Sequence, residues 1–378
     1  MPCEPEQLPQ APPPSTVPSL DLPAGIPPLT SLYLYIAGSC NLACRHCWIE
    51  PELIEAGAPG KFLDFDLLKK AVIEAKPLGL QSVKLTGGEP MLHPRFREIV
   101  DFLDMEGLPI TMETNGTLVD GDIARFLKTK PRFSFISVSL DGATSSTHEA
   151  LRGIAGSFDR TVIGIRELAA AGFRPQLICT LHRGNVNEID AIIDLAERLG
   201  CGSVKFNHIQ NLGRGKLVQV TLSVKELIRI FFDLETKQQS RFNLPVFFDI
   251  PIAFHSLRRL LKAPLARCNI QNILGILADG TIALCGIGVT TQEFIFGHIS
   301  QTDIPTIWTN HPKLKRLRIQ IPFELEGICG ECLHRDLCQG SCVANNFHRS
   351  GHITAENSFC REAMNTKLFP TTRKKIYN

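Results

Sequence analysis

The stretch GSCNLACRHCWIEP, residues Gly38 to Pro51, places Cys40, Cys44 and Cys47 in a C-x3-C-x2-C spacing. A disulfide uses two sulfurs, and a structural zinc site uses four ligands. A 4Fe–4S cluster takes about one thiolate per iron, so three cysteines leave one iron with a free coordination position. A closed cluster only shuttles electrons, whereas an open one binds a substrate or cofactor directly. The competing reading is a zinc site that borrows His46 as a further ligand. An aromatic residue, Trp48, follows the last cysteine directly.

The flanking sequence places this loop in a fold. SLYLYIA runs straight into the cysteines and reads as a strand. FDLLKKAVIEA (Phe65–Ala75) carries apolar residues at helical spacing. SVKLTGGEP is a strand ending in a glycine turn, and a helix closed by Gly107 follows it. The alternation continues until six strand-then-helix units have passed, ending in SVKELIRIFFDLE. Such alternation predicts a parallel sheet wrapped by helices. Right-handed crossovers curl the sheet into an α/β, partial (βα)6 TIM-like barrel over residues 29–240. Chemistry in such folds sits at the C-terminal ends of the strands. The cysteine loop, Gly87–Pro90, Glu113–Gly116 and Ser139–Gly142 all fall there.

Residues 1–28 hold ten of the 25 prolines and read as a disordered, polyproline-like leader. Beyond residue 240 the apolar runs shorten and cysteines return, so residues 241–378 read as a small cysteine-rich module held together by metal, with a C-terminal tail. Composition is that of a soluble globular protein, with 44% apolar and 21% charged residues. A formal net charge of +2 gives no electrostatic reason to expect nucleic acid or a membrane as partner. No secretion signal is apparent. Thirteen cysteines in a chain expected to be cytoplasmic favour metal or cluster binding over disulfides.

With Cys40, Cys44, Cys47 and Trp48 followed by Gly87, Gly88, Glu89 and Pro90, residues 31–235 resemble a radical S-adenosylmethionine (radical SAM) enzyme. Tyrosine or phenylalanine is more usual beside the last cysteine, so Trp48 is a mild variant. The resemblance implies a 4Fe–4S cluster whose open iron chelates the amino and carboxylate groups of SAM. It also implies a 5′-deoxyadenosyl radical that abstracts hydrogen from a substrate. Carried over residue by residue, the GGEP edge with Glu89 holds the methionine amino group. Glu113, Asn115, Ser139 and Asp141 are placed at the ribose and carboxylate, with Ser139 the best candidate. Arg152 is placed at the SAM carboxylate as a fork of donors, its alternative being a surface ion pair. Asn207, read as following the sixth strand, is placed near the adenosine.

The later cysteines follow C-x(9–15)-G-x4-C, then C-x2-C-x5-C-x3-C, then C, a pattern that resembles the SPASM extension of radical SAM enzymes over residues 255–365. The resemblance implies two auxiliary iron–sulfur clusters of the 4Fe–4S kind. Cys329, Cys332, Cys338 and Cys360 would hold one, and Cys268, Cys285 and Cys342 the other. No cysteine precedes Cys268 in SLRRLLKAPLARC, so that cluster has room for a non-cysteine ligand, a water or a substrate thiolate. Cys3, Cys179 and Cys201 are left over, and burial as small apolar residues is expected of the last two.

The implied activity is oxidative modification of a ribosomally made peptide or protein, forming for example a thioether or carbon cross-link. Sulfatase-maturing relatives carry an Asp directly after the equivalent of Cys285, where this chain has Gly286. A maturase of that kind or a small-molecule oxidase is the alternative, and a zinc-binding interaction protein the alternative from another class. No catalytic acid or base can be assigned. The expected partners are the peptide or protein substrate and an electron donor such as flavodoxin or ferredoxin. The first 28 residues are too short to bind a leader peptide, so a separate leader-recognition protein is expected as well.

Overall fold

The computed structural model describes residues 22–238, 240–262 and 268–375. The proline-rich stretch before residue 22, with Cys3, lies outside the described residues. Strand β1 (Ser31–Ala37) lies within a run of parallel strands, and Leu32, Leu34 and Ile36 on it are wholly buried. Strands buried on both faces read as near-continuous apolar runs, and SLYLYIA does. Next in chain order come β2 (Ser82–Gly87), β3 (Ile110–Thr114), β4 (Phe133–Ser139), β5 (Gln176–Leu181) and β6 (Ser203–His208). These six pair in parallel in that order, as the sequence predicts.

The helices between them follow the same logic. Helix Phe65–Ala75 buries Phe65, Leu68, Ala71, Val72 and Ala75, one stripe at i, i+3 and i+4 spacing. Its N-terminus is capped by Asp64, whose carboxylate accepts from the Asp66 and Leu67 amides at 2.9 and 3.0 Å. Each large apolar side chain buried in this way contributes roughly 1.5–3 kcal/mol. The polar helix Ser145–Arg152, capped by Thr144, has no clear apolar stripe and was not anticipated as a helix.

The sheet runs on past residue 240. Strand β7 (Val246–Phe248) adds in parallel to β6. On the other side, β8 (Ile273–Ile276) pairs in parallel with β1, Ser31 facing Ile273 and Leu34 facing Ile276. Antiparallel strands β9 (Thr281–Ala283) and β10 (Ile295–His298) complete that edge. The result is one open ten-stranded sheet in the order β10-β9-β8-β1-β2-β3-β4-β5-β6-β7, not a closed barrel.

Two expectations are corrected here. Residues 22–28 are held, not loose: Leu22 and Ile26 pack on the core, and the Pro27 and Pro28 carbonyls accept from Trp308 Nε1 at 2.7 Å and Asn272 Nδ2 at 2.8 Å. Proline lacks a donor but keeps its acceptor, which suits this docking. The cysteine-rich region is also not held by metal alone. Trp308 is fully buried, and Ile307, Leu314 and Leu317 join the same apolar cluster as the strands of the sheet.

Candidate functional site

The three-cysteine loop lies at the C-terminal end of β1 and is gripped from three sides. The Gly88 and Glu89 amides donate to Ala37 O at 2.6 Å and Ser39 O at 3.0 Å. The Ala43 and Arg45 amides donate to the Arg152 and Leu151 carbonyls at 3.1 and 2.9 Å. From beyond β6, the Arg214 amide donates to Cys47 O at 2.9 Å. Glycine is required where these backbones meet. A Cβ on Gly213, whose φ is +52°, would stand 2.6 Å from Trp48 O, and one on Gly88 would stand 1.9 Å from Ser39 O.

Cys40 and Cys44 are buried with Leu42, and Cys47 and Ile154 pack against them. Sulfur-directed donors surround them: Leu42 N at 3.4 Å and Asn115 Nδ2 at 3.8 Å on Cys40, and Arg152 Nη1 at 3.6 Å on Cys44. Burial pushes the Cys40 thiol up to about 12 and raises Cys44 as well. Such thiols stay protonated until iron displaces the proton, which couples cluster loading to ordering of the loop. Among the described residues no three His, Cys, Asp or Glu side chains converge as ligands of a single ion. His46 turns to Asp141 instead, Nε2 to Oδ2 at 3.9 Å, and burial lowers it to about 4, so it stays neutral at physiological pH. Trp48 packs on the apolar group of Tyr35, Leu277 and Ala283.

Glu89 is fully buried beneath the loop. Its Oε1 accepts from the Met91 amide at 3.2 Å and the Thr114 hydroxyl at 2.8 Å, and its Oε2 from the Asn115 amide at 2.8 Å. The carboxylate therefore ties the GGEP turn to the end of β3. Burial outweighs these donors and raises it to about 7. Because that value stands above the ordinary carboxyl range, its contribution to stability is fullest in acid and is lost as pH rises through about 7. A cationic ligand reverses the balance by favouring the charged form. We expect Glu89→Gln to keep its iron and to weaken SAM binding by at least about tenfold, the weight of one charge-assisted hydrogen bond. Titration calorimetry checks this: wild-type affinity should fall below pH about 7, and the variant should be flat.

Asp141, at the end of β4, is fully buried. Burial alone would raise its carboxyl, but Arg152 outweighs it, with His46 and His148 adding, and holds it below the usual range. Arg152 Nε lies 2.6 Å from Asp141 Oδ2, and both side chains are buried, so Arg152 is not the surface ion pair that was its alternative. Asp141 Oδ1 also accepts from the Thr180 amide at 2.7 Å. Asn115 sits beside Cys40, its Nδ2 donating to Asn41 Oδ1 at 2.8 Å and its Oδ1 accepting from Thr117. Ser139 closes β4 as expected. Glu113 turns the other way, in an ion pair with Lys84. Asn207 lies inside β6 and not after it, with Oδ1 buried and unpartnered.

One residue here escaped the sequence reading. Arg214 sits on the turn that grips Cys47, and its Nε and Nη2 are buried without a hydrogen-bond partner among the described residues. A buried guanidinium with free donors suits an anionic ligand group. The sequence signal was Gly213-Arg214-Gly215, an arginine between two glycines after the sixth strand.

The later cysteines fall into two groups. Cys329, Cys332, Cys338 and Cys360 ring one small cavity, closed by Pro251, Ile328 and Phe369. The Asn357 amide points at Cys329 Sγ from 3.2 Å and the His334 amide at Cys332 Sγ from 3.4 Å. Cys268 and Cys342 open on a second cavity of about 230 Å³, with Cys338 on the wall between the two. Solvent reaches both thiols, yet crowding by protein raises them; Cys342 and Cys285 add their charge at Cys268. Gly286, beside Cys285, has a structural reason. A Cβ there would stand 2.5 Å from the Tyr35 ring, so a carboxylate in that position does not fit. Cys179 and Cys201 are buried in the core, as expected.

Comparison with known proteins decides the family. Residues 34–196 match the Radical SAM superfamily, and residues 268–333 match SPASM, an iron–sulfur cluster-binding domain. The chain carries a radical SAM domain followed by a SPASM domain. An AdoMet-dependent heme synthase of Methanosarcina barkeri is 28% identical over 86% of this chain and 94% of its own length. Mycofactocin maturase MftC of Mycobacterium tuberculosis is 28% identical over 82% of this chain and 77% of its own. Among solved structures, SuiB of Streptococcus suis bound to S-adenosylmethionine superposes with a TM-score of 0.70 at 16% identity, over 89% of this chain and 77% of that one.

This radical SAM enzyme accordingly takes S-adenosylmethionine and iron–sulfur clusters as cofactors. Its residues fit them: clustered thiols with amide donors aimed at sulfur, and a loop with no room for side chains beneath it. No described helix is long and apolar enough to cross a membrane.

Proposed function

We propose that this radical SAM enzyme oxidises a peptide, holding it between the mouth of the sheet and the C-terminal cysteine module. One observation carries the reading. A cavity of about 590 Å³ spans the two parts, reaching from the loop after β6 to Cys342. Gln210, Asn211 and Asn345 supply amides to its wall, and Arg183, Arg349 and Glu362 supply charge of both signs. Such a surface matches the alternating donors, acceptors and charges of a peptide better than the flat apolar faces of a macrocycle. Asn345 Nδ2 donates to Gln210 Oε1 at 2.7 Å, which fixes the module against the sheet at the cavity.

When bound, SAM and its cluster would supply the chemistry of hydrogen-atom abstraction from the substrate. This chain's residues do the rest. Cys40, Cys44 and Cys47 hold that cluster, and the buried Glu89 orients the methionine amino group. Asp141 and Arg152 brace Cys44 from below. Cys329, Cys332, Cys338 and Cys360 hold one auxiliary cluster, and Cys268, Cys285 and Cys342 the other, close to the substrate cavity. A flavodoxin or ferredoxin supplies the electron, and a separate protein presents the leader of the peptide.

A second reading, oxidation of an iron porphyrin, is favoured by the near full-length match to the heme synthase. One experiment separates them. The reconstituted enzyme is incubated anaerobically with SAM, dithionite and either the peptides of any short open reading frames found beside its gene or Fe-coproporphyrin III. A peptide that loses hydrogen atoms by mass spectrometry supports the first reading. Turnover of the porphyrin with every peptide unchanged would sink it.

A further inference from the structure

The resemblance assigns Cys268, Cys285 and Cys342 to the first auxiliary site; Cys268 and Cys342 share a cavity, Cys285 adds its charge at Cys268, and a fourth ligand is wanting. Residues 256–267, immediately before Cys268, contain no cysteine, histidine, aspartate or glutamate. The missing donor must come from another part of the chain or from outside it. The cavity of about 230 Å³ onto which Cys268 and Cys342 open has one carboxylate among its described lining residues, Asp249.

Asp249 follows directly on β7. Its amide donates to Phe206 O at 2.9 Å, and the Ile250 amide donates to Phe248 O at 3.0 Å, so its backbone is fixed against β6. The side chain is exposed to the cavity and makes no ion pair with any described residue, although Lys205 lines the same space. Asp249 is also common to the wall of the larger cavity, together with Cys342 and Ser341. An unpaired carboxylate facing two cysteines of an incomplete set is a donor that iron accepts in place of thiolate.

We propose that the Asp249 carboxylate is the fourth protein ligand of the first auxiliary cluster, beside Cys268, Cys285 and Cys342. The proposal rests on assigning those three cysteines to one cluster, and not on the identity of the substrate. It closes the cluster to exogenous ligands. The cluster then exchanges electrons with a substrate in the adjoining cavity without binding it. An oxygen donor also gives less electron density than sulfur, so the potential stands above that of an all-thiolate cluster.

The test is electron paramagnetic resonance of the reduced, fully loaded chain with ¹³C-cyanide. Wild type should bind cyanide at one cluster, the one held by Cys40, Cys44 and Cys47. Asp249→Ala should bind it at two. Asp249→Cys should again bind it at one, with a lower midpoint potential than wild type. If Asp249→Ala loses the cluster, about four irons per chain disappear. Their return in Asp249→Cys supports the ligand, and their loss in both variants overturns it. Cyanide at two clusters in wild type overturns the proposal, as do spectra and potentials unchanged by Asp249→Ala. Lost product with unchanged spectra marks Asp249 as a proton acceptor and likewise overturns it. Cys285→Ala is the separate check on the cysteine grouping. If it leaves iron content and spectra intact, that assignment fails, whatever Asp249 does.

Discussion

Gly88→Ala should abolish SAM cleavage while leaving the chain folded. The added methyl would stand 1.9 Å from Ser39 O and 2.5 Å from the Ser39 carbonyl carbon. Neither atom can yield cheaply, because Ser39 O accepts from the Glu89 amide and the following Cys40 O from the Ile54 amide. The loop must move by about 1 Å or more to restore van der Waals contact, and a misplacement of that size in a positioned site costs about a hundredfold even without cluster loss. We expect iron to fall from about twelve to about eight per chain as the first cluster is lost. 5′-Deoxyadenosine should drop below detection, while the auxiliary signals persist. Gly121→Ala is the control. Its Cβ meets only the ends of the Glu167 and Arg125 side chains, so the effect should stay within about 0.5 kcal/mol. Normal iron and turnover in Gly88→Ala would show that the loop is not held by this contact.

The same contact shows what a sequence can and cannot reveal. That a glycine pair follows β2 was legible, and so was its place at the C-terminal end of a parallel strand. The partner was not, because Ser39 is some fifty residues away and the contact exists only once β1 and β2 pair. Helix Phe65–Ala75 could be read to the residue because its apolar spacing and its Asp64 cap are both local. Strands β7 to β10 could not. Each has three or four residues, and what makes them strands is pairing with β1, with β6 or with one another.

The cofactor residues divide in the same way. The resemblance to the SPASM extension grouped Cys329, Cys332, Cys338 and Cys360, and the structure brings all four to one cavity. It did not reveal that Cys338 also lines the neighbouring cavity, which places the two cavities side by side. Nor did it reveal why Gly286 replaces an acid: the reason is Tyr35, on a strand far earlier in the chain. Acid residues were the least legible. Glu89, Glu113 and Asp141 all end strands, yet one clamps a turn, one pairs with Lys84 and one is buried against Arg152.

That last pair should give the largest change in stability. Arg152→Met leaves the buried Asp141 without its guanidinium partner, and Asp141→Leu leaves the buried Arg152 without its carboxylate. Either loss should cost about 3–5 kcal/mol, seen as a fall in the midpoint of chemical unfolding. Replacing both should recover most of it, because two apolar side chains of similar volume need no partner. Activity should not return with stability. Arg152 Nη1 also donates to Cys44 Sγ, and the Arg152 carbonyl holds the Ala43 amide. The double variant keeps the second contact and loses the first, so it should fold, bind iron and show a shifted potential at the SAM cluster with slower SAM cleavage. A double variant as stable and as active as wild type would mean that the pair serves the fold alone. A double variant no more stable than the singles would mean that the backbone around Cys44 depends on the charges themselves.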